Sequence, residues 1–497
     1  MHTRKSVANG SAKAVLVVAV IAGWAGWAGW GCDPDDDAAP DKQPAPEREP
    51  DEAPARAADD APHIVYITSD DQSVPDLGIY GNDAVTSPNM DEIASEGILF
   101  ERAYASSPQC SPARASLVTG QTPSATRSGR LHTPLDPMYD NIIETLSEAG
   151  YFMAAFRKVH LGEKVEAIFD FKESDEDVWF DAAFEAWDGE SPMFLHIGFN
   201  EPHRPYEEGY WDPPHDPEDV IVPHYLPDTD EVRQDIAHYY DEIAEMDRQM
   251  GELMDLLEDE GIADDTFLLF IGDNGLPFPG AKGTLYEPGI HVPFFAHWPG
   301  EIPGGQVTSE LVSFADLPAT VLDAAGLEPF EGVHGRSLLE LMTDEDGEGV
   351  RDYAFSERNW HDNVDLIRAV IGERYKLIRN YLWDRPYEPT LDIRDTPSWA
   401  EIARLHDEGE LDDELEALYF AERDQYELFD LEEDPEERNN LFDDDDYMDV
   451  REELKEAMTE WMRQAKDPLP PPYGELPPAA EEAIRAQGED PRDLFRK

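Results

Sequence analysis

Two cysteines, Cys32 and Cys110, are all that 497 residues contain. No framework of disulfides holds this chain together, which places it outside the small stapled scaffolds. Positive charge is almost as scarce: 38 Lys and Arg stand against 111 Asp and Glu, a formal net charge of -73. A general electrostatic hold on nucleic acid or on an anionic membrane is thereby excluded. Any anionic substrate has to be met by a local cluster of cations. Long apolar runs are also missing, apart from residues 14–31. What is present is 40% hydrophobic and 10% aromatic residues, enough to build a core and unlike the composition of disordered acidic tails. The length allows two or three domains of about 150 residues each.

The one apolar run follows Arg4, Lys5 and Lys13 and is followed at once by Cys32 and the acidic stretch 33–37, the layout of a signal peptide. A single membrane anchor is the alternative, because the run is near the lower length limit for crossing a bilayer. The small residues before Cys32 resemble a bacterial lipoprotein cleavage site, from which Gly29 and Trp30 depart. Residues 1–32 are therefore expected to be a signal peptide of lipoprotein type. The protein is expected to be exported to the periplasm or cell surface, touching the membrane only through a lipid on Cys32. Residues 33–62, rich in Pro, Ala, Asp and Glu without apolar periodicity, read as a solvated tether. Residues 63–497 still carry a net charge of -68, so the acidity belongs to the folded body. With Cys32 taken by lipid, Cys110 is the only thiol of that body. A lone cysteine is ordinarily a small buried hydrophobe, and its neighbours have to decide otherwise.

The body opens on His63-Ile64-Val65-Tyr66-Ile67, a β-branched run that stops at Ser69-Asp70-Asp71 as a buried strand ending in a polar loop would. Further strands are expected at 151–156, 193–199, 266–271 and 292–297. Helical patterns lie between them at 89–96, 141–148 and 231–260. The last carries Ile236, Tyr239, Tyr240, Ile243, Met246, Met250, Leu253 and Leu257 on one stripe. This alternation predicts an α/β sandwich with a largely parallel central sheet. After about residue 345 the rhythm changes to paired strands within 365–380 and a terminal helix at 448–464, followed by a Pro- and Glu-rich tail. The expected organisation is a catalytic domain over 63–345 and a smaller C-terminal α+β domain with its tail over 346–497.

Two polar clusters follow apolar strands: Asp70-Asp71 after the first, and Asp273-Asn274-Gly275 after 266–271. Either alone is an ordinary turn in an Asp-rich chain. Together they place four hard oxygen ligands at the carboxyl ends of strands, where α/β sheets hold their sites, and that set suits Ca²⁺ or Mg²⁺ better than Zn²⁺. A single Lys or His is more often a surface charge or a satisfied core group; in a chain so poor in bases, Lys158, His160, His203 and Lys282, which the resemblance described next sets apart, are candidate counter-ions for an anion.

The segment Cys110-Ser111-Pro112-Ala113-Arg114 resembles the C-x-P-x-R signature of the type I sulfatases, in which a dedicated enzyme oxidises the Cys to formylglycine. Arg157-Lys158-Val159-His160-Leu161-Gly162 is similar to that family's G-K-x-H-x-G segment, and Asn200-Glu201-Pro202-His203-Arg204-Pro205 to its D-P-H-x-P segment. The resemblance covers roughly 63–465 and implies an alkaline-phosphatase-like fold. It implies that Asp70, Asp71, Cys110, Asp273 and Asn274 surround a Ca²⁺, with Mg²⁺ as the other choice. It implies also that Arg114 and His160 orient a hydrated formylglycine at 110, that Lys158 and Lys282 bind sulfate oxygens, and that His203 protonates the leaving group. One hydroxyl of the hydrate attacks sulfur and the other later expels sulfate, a step an ordinary Ser could not perform. The expected partners are a sulfated sugar and a formylglycine-generating enzyme.

Within that family the chain resembles the heparan N-sulfatase (N-sulfoglucosamine sulfohydrolase) branch. The resemblance is carried by 216–240, by DNGLPFPGAKGTLYEPG at 273–289, and by ELFDLEEDPEERNNL near the C-terminus. Lys282 stands where that branch has Arg. His361 and Asp362 fall where it contributes sugar contacts, although an ordinary polar loop explains them equally well. The expected reaction is hydrolysis of the sulfamate of N-sulfoglucosamine in heparan-type glycans. The alternatives are an O-sulfatase on another sulfated glycan, a phosphoesterase of the same superfamily, and a surface glycan-binding protein without turnover.

Overall fold

The structure, a computed structural model, describes residues 61–175, 178–206, 209, 211–344 and 347–469. The expected signal peptide, Cys32, nearly all of the tether and most of the C-terminal tail lie outside the described residues. The chain divides into two units, Met1–Asp51 and Glu52–Lys497, and every described residue belongs to the second.

Nine strands, β1 (His63–Ser69), β2 (Ile98–Tyr104), β3 (Phe152–Arg157), β4 (Phe171–Glu173), β5 (Met193–Gly198), β6 (Thr266–Gly272), β7 (His291–His297), β8 (Gln306–Thr308) and β9 (Val312–Ser313), form one sheet among the described residues. Their order is β4-β3-β5-β1-β6-β7-β2-β8, with β9 also beside β2. Only β7 runs antiparallel to its neighbours. The central strands are apolar on both faces because helices cover both. From β1, Ile64 and Tyr66 join the layer of helices Cys110–Thr119, Ile142–Ala149 and Asp316–Ala324. Val65 and Ile67 join the layer of helices Pro88–Ser95 and Asp230–Asp259 on the other side. The expected stripe of the long helix is the face that is buried, and Thr229 caps its start by accepting from the Val232 amide.

The α/β sandwich and its largely parallel sheet are as the alternation predicts. β2, β4, β8 and β9 are not among the strands expected from the sequence. In β2 the cause is Glu101 and Arg102, which interrupt the apolar run where the pairing with β7 shifts register between Phe100 and Ala103. That bulge turns Glu101 outward, so the period-two signal is broken in the middle of the strand.

A second sheet, β10 (Ala354–Trp360), β11 (Val364–Ile371), β12 (Tyr375–Asn380) and β13 (Tyr426–Asp430), is antiparallel throughout. Alternate residues of β11 serve two cores. Ile367, Ala369 and Ile371 pack with Tyr104 of β2 and with Leu285 and Ile290, while Leu366 and Val370 pack with Leu454, Met458, Trp461 and Met462 of the terminal helix Met448–Gln464. On the helix side, fully buried Arg368 pairs with Asp467 and with Glu357 at 3.3 Å, and donates to Asn359 Oδ1 at 2.8 Å. Removing one member of a buried ionic cluster leaves the others uncompensated. Arg368→Ala is expected to cost about 3–5 kcal/mol of unfolding free energy in urea titrations; a loss below about 1 kcal/mol would show that this cluster does not anchor the second sheet.

Candidate active site

The strand ends gather the site. Asp70 and Asp71 follow β1, Lys158 follows β3, His203 lies in the loop after β5, and Asp273 and Asn274 follow β6. Backbone bonds tie these loops together: the Asp70 amide donates to Glu201 O at 3.0 Å, Gln72 N to Asn274 O at 2.8 Å, and Lys158 N to Gly198 O at 2.9 Å. Gly198 is required where it stands, because a Cβ there would lie 1.8 Å from Lys158 O and 2.8 Å from Arg114 Nη1.

Cys110 opens the helix Cys110–Thr119, which closes at Gly120 in the left-handed conformation. Pro112 is tolerated because it falls in the first turn, where amides have no intrahelical acceptor. The helix thus points its N-terminus, with Cys110 buried on it, at the strand ends. Asp71, His132, Arg157 and His160 all adopt left-handed backbone, with φ of 68°, 62°, 60° and 61°. Such conformations cost about 1–3 kcal/mol each for non-glycine residues and concentrate at functional sites.

Four side chains, Asp70, Asp71, Cys110 and His203, present ligand atoms that all lie within 4.8 Å of one another. Cys110 Sγ is 3.9 Å from Asp71 Oδ1, and His203 Nε2 is 3.6 Å from Asp71 Oδ2. Asn274 Nδ2 donates to Asp71 Oδ1 at 2.7 Å, and the Asp71 amide donates to Asp273 Oδ1 at 3.1 Å. The cations interleave with these acids. Arg114 Nε bonds Asp273 Oδ2 at 2.7 Å and its Nη1 bonds Lys158 O at 2.6 Å. Lys158 pairs with Asp70, and Lys282 Nζ lies 2.6 Å from Asp71 Oδ2. His203 and Lys158 side chains are 29% and 18% exposed while Asp71 and Lys282 are at 1%, so the site opens on the His203 and Lys158 side.

Burial pushes the Asp70 carboxyl up, but Lys158, His203, Arg114 and Lys282 together outweigh it and hold Asp70 well below the usual range. Burial and the nearby Asp70 push Asp273 up, against Arg114 and Lys158. Burial drives the Cys110 thiol well above its ordinary value, which keeps it protonated and a poor nucleophile as a thiol. Burial works against the Lys282 ammonium too, yet Asp71 and its neighbours raise it well above the ordinary lysine value. Inside the cage, Asp70 Oδ1 and Asn274 Oδ1 are buried acceptors without a hydrogen-bonding partner. Unpartnered buried acceptors beside two more carboxylates fit a hard divalent cation.

Of the expected residues, Asp70, Asp71, Cys110, Arg114, Lys158, His203, Asp273, Asn274 and Lys282 are brought into this one network. His160 stands at its edge: its Nε2 is 2.8 Å from His132 Nδ1, and its Nδ1 is buried without a partner. Burial, with Lys158 and Arg114, holds His160 down at about 3, a neutral imidazole. Arg157 turns away, bonding Gln249 and lying over the rings of Phe180 and Phe199. His361 and Asp362 bond each other at 2.7 Å and reach the network through Asp392, which lies 2.8 Å from Lys282 Nζ and 3.9 Å from His361 Nε2.

Asp392, His132 and the buried amides of Gln72 and Gln109, each next in the chain to a site residue, were missed from sequence. None sits in a pattern that marks it; only Gln72 and Gln109 had the signal of adjacency. The site predicts a bound ion. Purified protein should carry about one Ca²⁺ or Mg²⁺ per chain by elemental analysis, and Asp71→Ala should lose it, together with the fall in melting temperature that a chelator causes in the parent. A fully active parent without divalent metal would contradict this reading.

A family model described as Sulfatase matches residues 62–167 and 163–327. A second, described as N-sulphoglucosamine sulphohydrolase, C-terminal, matches 281–418 and 412–464. The chain is 28% identical over 463 residues to an ulvan-active sulfatase of Formosa agariphila, across 84% of this chain and 77% of that protein. It is 28% identical over 446 residues to N-sulphoglucosamine sulphohydrolase of Homo sapiens, across 79% of this chain and 88% of that protein. A solved structure of a protein in complex with its substrate D-glucosamine-2-N,6-O-disulfate superposes with a TM-score of 0.61 at 20% identity, covering 82% of this chain and 98% of that one. At that identity the likeness is one of fold.

Proposed function

The chain belongs to the sulfatase family and is a sulfuric ester hydrolase; from that premise we propose that it cleaves the sulfamate of N-sulfoglucosamine in heparan-type glycans, using a formylglycine made from Cys110. The observation that carries the substrate is the match of residues 281–464 to the C-terminal family of N-sulphoglucosamine sulphohydrolase, since this part of the chain brings His361, Asp362 and Asp392 to the anion site. An ulvan-active relative at the same identity favours one second reading, an O-sulfatase on another sulfated glycan.

Formylglycine at 110 would supply a hydrated aldehyde, with one hydroxyl to attack sulfur and another whose deprotonation lets sulfate leave. Asp70, Asp71, Asp273 and Asn274 would hold Ca²⁺, or Mg²⁺, which supplies positive charge where the nucleophile loses its proton. Arg114, locked between Asp273 and the Lys158 carbonyl, fixes the floor of the site. Lys158 and Lys282 bind the sulfo oxygens and meet the charge that grows on them in the transition state. His203 stands on the open side with Nδ1 on the Arg204 carbonyl, which leaves Nε2 to protonate the departing nitrogen or oxygen. His160, half-buried and beside His132, orients the diol together with Arg114 and assists its proton transfers. His361 and Asp362 contact the sugar.

In this reading residues 63–345 are the catalytic domain and 346–497 the C-terminal domain and tail. Residues 1–32 direct export to the periplasm or cell surface, where Cys32 carries a lipid. A formylglycine-generating enzyme is the required partner.

A panel of N-sulfated and O-sulfated glucosamine oligosaccharides tests the assignment. The highest kcat/KM is expected on the N-sulfated members, and Cys110→Ala should lower it by about 10³-fold or more. Preference for an O-sulfate would overturn the substrate, and full activity of Cys110→Ala would overturn the nucleophile.

A further inference from the structure

One ammonium in the site holds two carboxylates from different parts of the chain. Lys282 Nζ lies 2.6 Å from Asp71 Oδ2 and 2.8 Å from Asp392 Oδ2. Asp71 belongs to the metal cluster; Asp392 does not, and comes from the short helix Leu391–Arg394 in the connection between β12 and β13. Burial pushes the Asp392 carboxyl up, but Lys282 and His361 outweigh it and hold it well below the usual range, so it stays ionised. A carboxylate that neither binds the nucleophile nor belongs to the cation cage is unexpected beside an anion-binding lysine, because it weakens the attraction that lysine exerts.

That weakening has a use. A sulfate ester or sulfamate carries one negative charge. A phosphate monoester has the same tetrahedral shape and carries close to two above its second pKa of about 6. Shape cannot separate the two groups, but the charge of the site can. We propose that Asp392 is a specificity-determining residue that lowers the charge of the anion site by one, so that it accepts a singly charged sulfo group and turns away a doubly charged phosphoryl group. The inference rests on the sulfo-binding role proposed for Lys282. The extra charge of the wrong group would sit roughly 5 Å from the Asp392 carboxylate, one hydrogen-bond length either side of the Lys282 ammonium. At an effective dielectric constant of about 20, that repulsion corresponds to about 10²-fold in binding.

Non-hydrolysable anions read this directly. Benzylsulfonate carries one charge. Benzylphosphonate carries two at a pH where it is fully ionised, and its monomethyl ester keeps the phosphorus with one charge. Titration calorimetry on the whole metal-loaded protein should show benzylphosphonate, relative to benzylsulfonate, binding about 10²-fold more weakly in the parent than in Asp392→Asn, with the monomethyl ester behaving like the sulfonate. Asp392→Asn preserves the volume and an acceptor for Lys282. It should close most of that gap by tightening the phosphonate, while Asp392→Glu should retain it. If Asp392→Asn does not fold, Asp392→Ser carries the same comparison. A gap that persists unchanged in the neutral variant, or a monomethyl ester that binds like the dianion, would overturn the role of Asp392 alone. A parent that binds none of the three and leaves sulfated glucosamine intact would sink the proposed substrate and the sulfo-binding role of Lys282 with it.

Discussion

Three carboxylates buried at the ends of two adjacent parallel strands cannot remain together without positive charge between them. Asp70, Asp71 and Asp273 are all at or near zero exposure, and in a low-dielectric interior their mutual repulsion is large. Arg114, Lys158 and Lys282 answer it, each bonded to a different one of the three. Much else in the molecule follows from bringing those cations in. Arg114 comes from the helix after β2, Lys158 from the end of β3, and Lys282 from the loop after β6. The parallel sheet is what lets such distant segments end at one place.

The same constraint explains why this very acidic chain can serve an anionic substrate. The net charge of -73 is spread over a surface that salt screens within about 8 Å. The cations are few, but those of the site are fixed, desolvated and directed by buried acids. Burial pushes the thiol at the centre well above its ordinary value, which makes it a poor nucleophile as a thiol; the function proposed above replaces it with an aldehyde.

Legibility in the sequence followed chemistry more than distance. Asp70-Asp71, Asp273-Asn274 and the Cys110 to Arg114 segment could be read because each is a short contiguous pattern following an apolar run or inside a recognisable signature. The two-layer sheet could be read because its central strands are apolar on both faces. Asp392 and His132 could not: each is a single polar residue in unpatterned sequence, and only the packing of the antiparallel sheet and its loops carries Asp392 to Lys282. The strand β2 was hidden by a bulge that places Glu101 and Arg102 inside an otherwise apolar segment. Arg157, next to Lys158 in the chain, bonds Gln249 of the long helix and lies over Phe180 and Phe199.

The central claim is that Cys110 sits in this cage in order to be replaced as a functional group. Peptide mass spectrometry of fully active protein tests that most directly. The account predicts that the peptide containing residue 110 has lost one sulfur and two hydrogens and gained one oxygen, the change from thiol to aldehyde. An active preparation in which that peptide keeps its sulfur throughout would contradict it.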